Sequence, residues 1–341
     1  MYRENKNFGF GDLAIGNKGK NDFLTSVNTL LDWDSIEKIL KSNLKRGFNA
    51  IGQPPYSELL LFKILLLQTW FNLSDTKVEE AINDRISFIK FLILSIESDT
   101  PDHSTISRFR NSLIKDNLDK KLFLEVNRQL ESKGILVKNG AIVDATIISS
   151  SRRPKKIDDL VTEDRKEEDT QETISETKII TSYSDDKEAR WIKKYGRYLY
   201  GYKIHNSVNK EGYILGGVVT GANESDTRHL ESILNEIILE EGLPVLADKG
   251  YTSARNSEIL ESKNLVDKIM LKATKSKKLT SEENEYNRDI SKFRYVVEQT
   301  FGLLKLHFGY TRCRYISQRK VELEYMLKSL SFNIKKASYS L

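Results

Sequence analysis

Along the first third of the chain the apolar positions recur at helical spacing. Leu30, Leu31, Trp33, Ile36, Ile39 and Leu40 mark a helix within 23–42, and Pro54-Pro55 breaks the chain before a strongly apolar helix over 57–72. Ser74 caps the next helix, 75–83, and the pattern continues over 86–96 until Ser98-Asp99-Thr100-Pro101 ends it. Asp102 caps a further helix with Ile106, Phe109 and Leu113 as its buried stripe, and residues 117–133 form one more, closed by Gly134. The period then changes. Residues 141–148 are an apolar, β-branched run between Asn139-Gly140 and Ser149-Ser150-Ser151, which predicts a buried central strand. Tyr198, Tyr200, Tyr202 and Ile204 alternate with Leu199, Lys203 and His205 as a second strand, and Gly212 turns the chain into a third over 213–220. An amphipathic helix over 226–241, a short strand from Pro244, a helix over 254–263 and an edge strand over 265–271 follow. Two helices close the chain, one around Arg294 to Lys305 and one marked by Leu323, Leu327, Leu330 and Ile334.

This order predicts an α/β domain with a mixed five-stranded sheet over 135–341, preceded by an all-helical domain over 23–134 and a mobile arm over 1–22. Residues 158–188 fit neither pattern. They hold twelve acids against four bases and read as a flexible insertion; without them the overall +5 becomes a surplus of thirteen bases, a balance suited to nucleic acid. The one cysteine, Cys313, excludes an internal disulfide and a cysteine-based zinc framework. The run from Leu59 to Phe71 is too short and too interrupted to span a bilayer, and the polar residues Met1 to Lys6 carry no export signal, so a cytoplasmic protein is expected.

Three acids stand out. Asp144 interrupts the central apolar strand, where an unpaired charge would cost several kcal/mol. Asp248 ends another strand, with Gly250 turning the chain two residues later. Glu298 lies on a late helix within about 40° of Arg294 and Lys305, beside a stripe of Val297, Phe301 and Leu304. Carboxylates from two strands and a helix suit a pair of Mg²⁺ ions, which prefer oxygen ligands and serve phosphoryl transfer. The charged neighbours leave two readings open: Arg294 and Lys305 pair with Glu298 along the helix, or they grip a phosphate strand.

Asp144, the run Asp248-Lys249-Gly250-Tyr251 and Arg294-x3-Glu298-x6-Lys305 resemble the DDE transposases of bacterial insertion sequences, in particular the insertion sequence four and five groups, over roughly 54–336. Ser291 stands where the signature of those groups has tyrosine. The resemblance implies an RNase H-like catalytic domain in which Asp144, Asp248 and Glu298 hold two Mg²⁺, with Mn²⁺ able to substitute. It implies cleavage at terminal inverted repeats, strand transfer into target DNA, a dimer or higher multimer on DNA, and association with the nucleoid. Asp102-His103-Ser104-Thr105 with Arg108, Phe109 and Arg110 is a hallmark of the family's helical domain and points the Ser, Thr, Arg and Asn face of that helix, Arg108 and Arg110 included, at DNA. Arg152, Arg153, Lys203, Lys249, Tyr251, Arg294 and Lys305 are the further expected DNA contacts, Tyr251 by stacking on a base and the basic run at Arg152 by holding phosphates. His205 is expected to touch substrate and His229 to lie on the surface. A nuclease without strand transfer and a non-catalytic DNA-binding regulator are the alternative functions.

Overall fold

The computed structural model describes residues 22–44, 54–154, 158–166, 173–181, 186–194, 196–273 and 278–340. The arm expected over 1–22 lies outside them except for its last residue. Seven helices precede the sheet: α1 (Asp22–Leu30), α2 (Trp33–Asn43), α3 (Glu58–Trp70), α4 (Asp75–Asp84), α5 (Ile86–Leu92), α6 (His103–Ser112) and α7 (Leu118–Ser132). Their starts obey capping chemistry. Asp32 accepts from the Ser35 and Asp34 amides, Ser74 from Lys77 N–H and Asp102 from Thr105 N–H. Helix α3 is apolar on every side and buries Leu61, Phe62, Ile64, Leu65, Leu66 and Leu67, because α2, α4, α5 and α6 all pack around it.

The sheet has six strands rather than five: β1 (Ala141–Ser149), β4 (Arg190–Lys194), β5 (Arg197–Val208), β6 (Ile214–Gly221), β7 (Pro244–Ala247) and β8 (Val266–Ile269). Central β1 runs antiparallel to β5, with Asp144 opposite Asn206, and parallel to β7, with Val143 opposite Ala247; β8 continues the parallel side. The far edge of β5 is shared. Strand β4 pairs with its first residues and β6 with the rest. Strand β4 was invisible as a pattern because its sequence, Arg-Trp-Ile-Lys-Lys, has neither an apolar run nor a buried face.

The acidic insertion is also corrected in part. It contains β2 (Asp158–Lys166) and β3 (Thr173–Thr181), paired antiparallel over their full length and apart from the main sheet. The helix expected over 226–241 is shorter. A 3₁₀ turn at Asp226–Arg228 leads into α8 (Leu230–Asn235), since Asp226 and Thr227 are held by other parts of the chain. Helix α9 (Ala254–Ser262) joins β7 to β8.

Two long helices close the structure. Helix α10 (Ser281–His307) starts on a capping box of Thr280 and Glu283 and packs on β1, β5 and β7. Helix α11 (Gln318–Ser338) is buried along most of its length between β6 on one side and α1, α3 and α7 on the other. It makes one continuous apolar core of the helical and α/β parts. Among the described residues no helix is long and apolar enough to cross a membrane.

Candidate active site

Strand β1 carries Asp144 into the middle of the sheet, where its side chain is 15 % exposed. One carboxylate oxygen accepts from the following Ala145 N–H at 2.7 Å and the other from Arg294 Nη2 at 2.8 Å. Burial raises the Asp144 carboxyl above the usual range; Arg294 opposes this and Asp248 adds to it. Asp248 follows Ala247, the last β7 residue in register with β1, so the parallel ladder sets it beside Asp144. Its carboxylate accepts from Gly250 N–H. A Cβ on Gly250 would come within 2.7 Å of that oxygen, so a larger residue here would have to displace the Asp248 carboxylate.

Glu298 stands one turn after Arg294 on α10, and the same Nη2 that bonds Asp144 lies 3.3 Å from Glu298 Oε1. A single guanidinium thus draws carboxylates from a strand and a helix, 154 residues apart in sequence, to one cation. Lys305 does not pair with Glu298. Its Nζ donates to Thr146 Oγ1 at 2.7 Å, two residues past Asp144 on the same face of β1, and burial lowers its basicity. Of the two readings open for this helix, pairing with Glu298 therefore describes Arg294 alone.

The expected DNA contacts separate by exposure. Arg108, Arg152, Arg153 and Lys249 are exposed. Arg108 bonds only its own helix, at Thr105 Oγ1 and Ser104 O, and Arg153 lies 5.0 Å over the Trp191 ring. Three others are corrected. Arg110 is 4 % exposed and forks onto Asp75 at 2.6 and 2.7 Å, its guanidinium over the Tyr315 ring, so it has no free face for DNA. Lys203 is 8 % exposed and ion-pairs with Asp226 at 2.8 Å. Tyr251 is fully buried with its hydroxyl on His205 Nδ1 at 3.1 Å, which excludes stacking on a base. His205 is equally buried, and burial drives its pKa down to about 3, so it is neutral and has no exposed face with which to touch substrate. His229 is half-buried against it rather than on the surface.

Sequence reasoning missed Asp226 and Thr227, which it placed in the first turn of an amphipathic helix. It also passed over the β4–β5 hairpin, whose exposed Trp191 and Tyr198 lie under Arg153 and Lys193. Basic side chains over exposed aromatic rings were concealed by the polar run that hid β4 itself.

Among the described residues no three acid, histidine or cysteine side chains stand close enough together to form a ligand set. The donor chemistry nevertheless suits a divalent cation: Asp144, Asp248 and Glu298 offer only carboxylate oxygens, and two of them already converge on one positive group.

Residues 15–112 match the family described as "Transposase domain (DUF772)" and residues 136–334 the "Transposase DDE domain". The chain is 40 % identical over 235 residues to the transposase for insertion sequence element IS1106 of Neisseria meningitidis serogroup B, covering 68 % of this chain and 77 % of that protein. Among solved structures, the piggyBac transposase synaptic complex with hairpin DNA aligns with a TM-score of 0.42 at 10 % identity, over 95 % of this chain and 76 % of that one. The Mos1 transposase paired-end complex with left transposon end aligns at a TM-score of 0.22 and 12 % identity, over 86 % and 82 %.

Proposed function

The chain belongs to the DDE transposases of insertion sequences, and we propose that it cuts DNA at the terminal inverted repeats of its element and joins the freed 3′ end to target DNA. The observation that carries this reading is the convergence of Asp144 and Glu298 on Arg294, with Asp248 beside Asp144 in the parallel ladder. Asp144, Asp248 and Glu298 would hold two Mg²⁺, or Mn²⁺ in their place. Bound there, such ions supply Lewis-acid chemistry, activating the attacking oxygen and stabilising the leaving one.

The protein's own groups do the rest. Arg294 opposes the burial that raises the Asp144 carboxyl, and so favours the carboxylate form that would hold a cation. The Arg294 guanidinium, between Asp144 and Glu298, would also suit the scissile phosphate, to which a planar fork of donors is matched. Lys305, held on Thr146, supplies a second positive charge along the same face. Arg152, Arg153 and Lys249 extend the basic surface, and exposed Arg108 on α6 contacts the end sequence from the helical part. Two ends must be cut and joined together, which calls for a multimer on DNA, acting at the nucleoid. Membership of the insertion sequence four and five groups rests on the Arg-Glu-Lys spacing.

The test is incubation of the purified full chain with its own flanking DNA and Mg²⁺. Joined products support a transposase. Cut but unjoined products would assign a nuclease, and binding without cleavage a regulator.

A further inference from the structure

Around the Gly250 turn that follows Asp248 lies a linked set of buried and part-buried polar groups. Lys203 Nζ, brought in by β5, donates to Asp226 Oδ1 at 2.8 Å and to Glu224 O at 2.5 Å. Thr227, next along the 3₁₀ turn, donates its hydroxyl to Gly250 O at 2.7 Å. The other oxygen of Asp226 lies 3.5 Å from where a Gly250 Cβ would stand. Gly250 N–H in turn donates to Asp248. Asn256 Nδ2 ties the assembly together, donating to Thr227 O at 3.0 Å and Tyr251 O at 2.6 Å, and Tyr251 N–H closes the turn on Asp248 O.

The far end of this turn is fixed as well. Thr220 donates its hydroxyl to Gly221 O, so His205 Nε2 is the donor to Thr220 and His205 Nδ1 accepts from the Tyr251 hydroxyl. An ion pair with one buried partner is a poor way to gain stability alone, since well-packed apolar residues do as well or better. What this pair does geometrically is anchor the 3₁₀ turn from which Thr227 holds the carbonyl of Gly250, the residue whose N–H meets Asp248.

We propose that Asp226 and Thr227, anchored by Lys203, are positioning residues that set the direction of the Asp248 carboxylate through Gly250. The inference rests on the reading of Asp248 as a metal-holding residue. Gly250 is gripped at its carbonyl by Thr227 and its amide is committed to Asp248, so one Asp248 oxygen is fixed and the other is left for the reaction. Outer groups that orient metal-holding carboxylates commonly matter about 10–100-fold in metal affinity or activity.

The experiment uses the full chain and Mn²⁺ alone as the probe, reading the rise in melting temperature as the metal is titrated, alongside terminal-repeat DNA binding in EDTA and the cleavage rate in Mn²⁺. Thr227→Val removes only the hydroxyl and keeps the shape; Thr227→Ser restores it. Thr227→Val and Asp226→Asn are expected to shift the Mn²⁺ midpoint and lower cleavage by roughly 10-fold or more, with metal-free DNA binding unchanged. Thr227→Ser is expected to recover both. If Asp248→Asn shifts the Mn²⁺ midpoint but Thr227→Val matches wild type, the positioning role is overturned while the site stands. Thr227→Ser failing like Thr227→Val also overturns it. An Asp248→Asn chain that responds to Mn²⁺ as wild type does would overturn the site reading and this inference with it.

Discussion

Arg294 is the residue on which the electrostatics of the site turns, because its Nη2 is shared by Asp144 and Glu298. Burial alone raises the Asp144 carboxyl, and Arg294 limits the rise. A raised carboxyl binds its proton in the folded chain at a pH where the unfolded chain has already released it. Its stabilising contribution is therefore full below the ordinary carboxylate range and is lost as pH rises through the raised value. Arg294→Ala should move that loss to higher pH, visible in melting temperature against pH after subtraction of the same curve for Asp144→Asn. Coincident curves for wild type and Arg294→Ala would remove Arg294 as the counterion of Asp144. Arg110 carries the opposite expectation from the one its sequence suggests. Its 5 % exposed side chain is matched to Asp75, so Arg110→Ala leaves a part-buried carboxylate with Gln68 as donor but without its counterion and should cost about 3 kcal/mol of stability. A folded Arg110→Ala chain as stable as wild type and weak only on DNA would restore Arg110 as a DNA contact.

Helix α10 gathers most of the site into one element, and its layout separates catalysis from stability. Glu298 is 60 % exposed, so Glu298→Gln should leave the melting temperature unchanged while lowering cleavage on the order of a hundredfold or more. Lys305→Ala loses the bond to Thr146, and if Lys305 meets a phosphate the slope of log binding constant against log salt should fall by about 0.9. An unchanged slope would confine Lys305 to its bond with Thr146. The sequence revealed this helix because an apolar stripe ran beside a charged face, revealed β1 as an apolar, β-branched run with one acid inside it, and revealed β7 as an apolar run with an acid just past its end. It hid β4, whose strand character comes from pairing with β5 and not from any pattern of its own. It misassigned Arg110, Lys203 and Tyr251 for a related reason. Their partners Asp75, Asp226 and His205 are 35, 23 and 46 residues away, and a basic or aromatic residue without its partner reads as surface.

At the scale of the whole molecule, the boundary drawn near residue 134 does not separate two cores. Helix α11, from the end of the chain, seals the first helices: Trp70 Nε1 donates to Ser331 O at 2.9 Å, and Arg319 pairs with Asp119 at 2.6 Å. Asn333 is fully buried and bonds both sides at once. It donates to Asn127 Oδ1 and to Ile214 O, each at 2.8 Å, and accepts from Ile214 N–H at 2.9 Å, linking α7 to β6. A chain cut at residue 134 would expose the apolar faces of α1, α3 and α7 that α11 covers, so end recognition by Arg108 has to be measured in the full chain. Asn333→Ala leaves Ile214 N–H and Asn127 Oδ1 unsatisfied, at about 1–3 kcal/mol for each buried group lost, while Ile214 O keeps Asn127 Nδ2. Because one core joins the helices to the sheet, that loss should lower the melting of both together, with helical circular dichroism and calorimetry giving one coincident transition. Two transitions, of which Asn333→Ala shifts only one, would show independent domains. A single transition would mean that the helix bearing Arg108 is rigidly tied to the sheet bearing Asp144, so that binding at a terminal repeat fixes which phosphate meets the carboxylates.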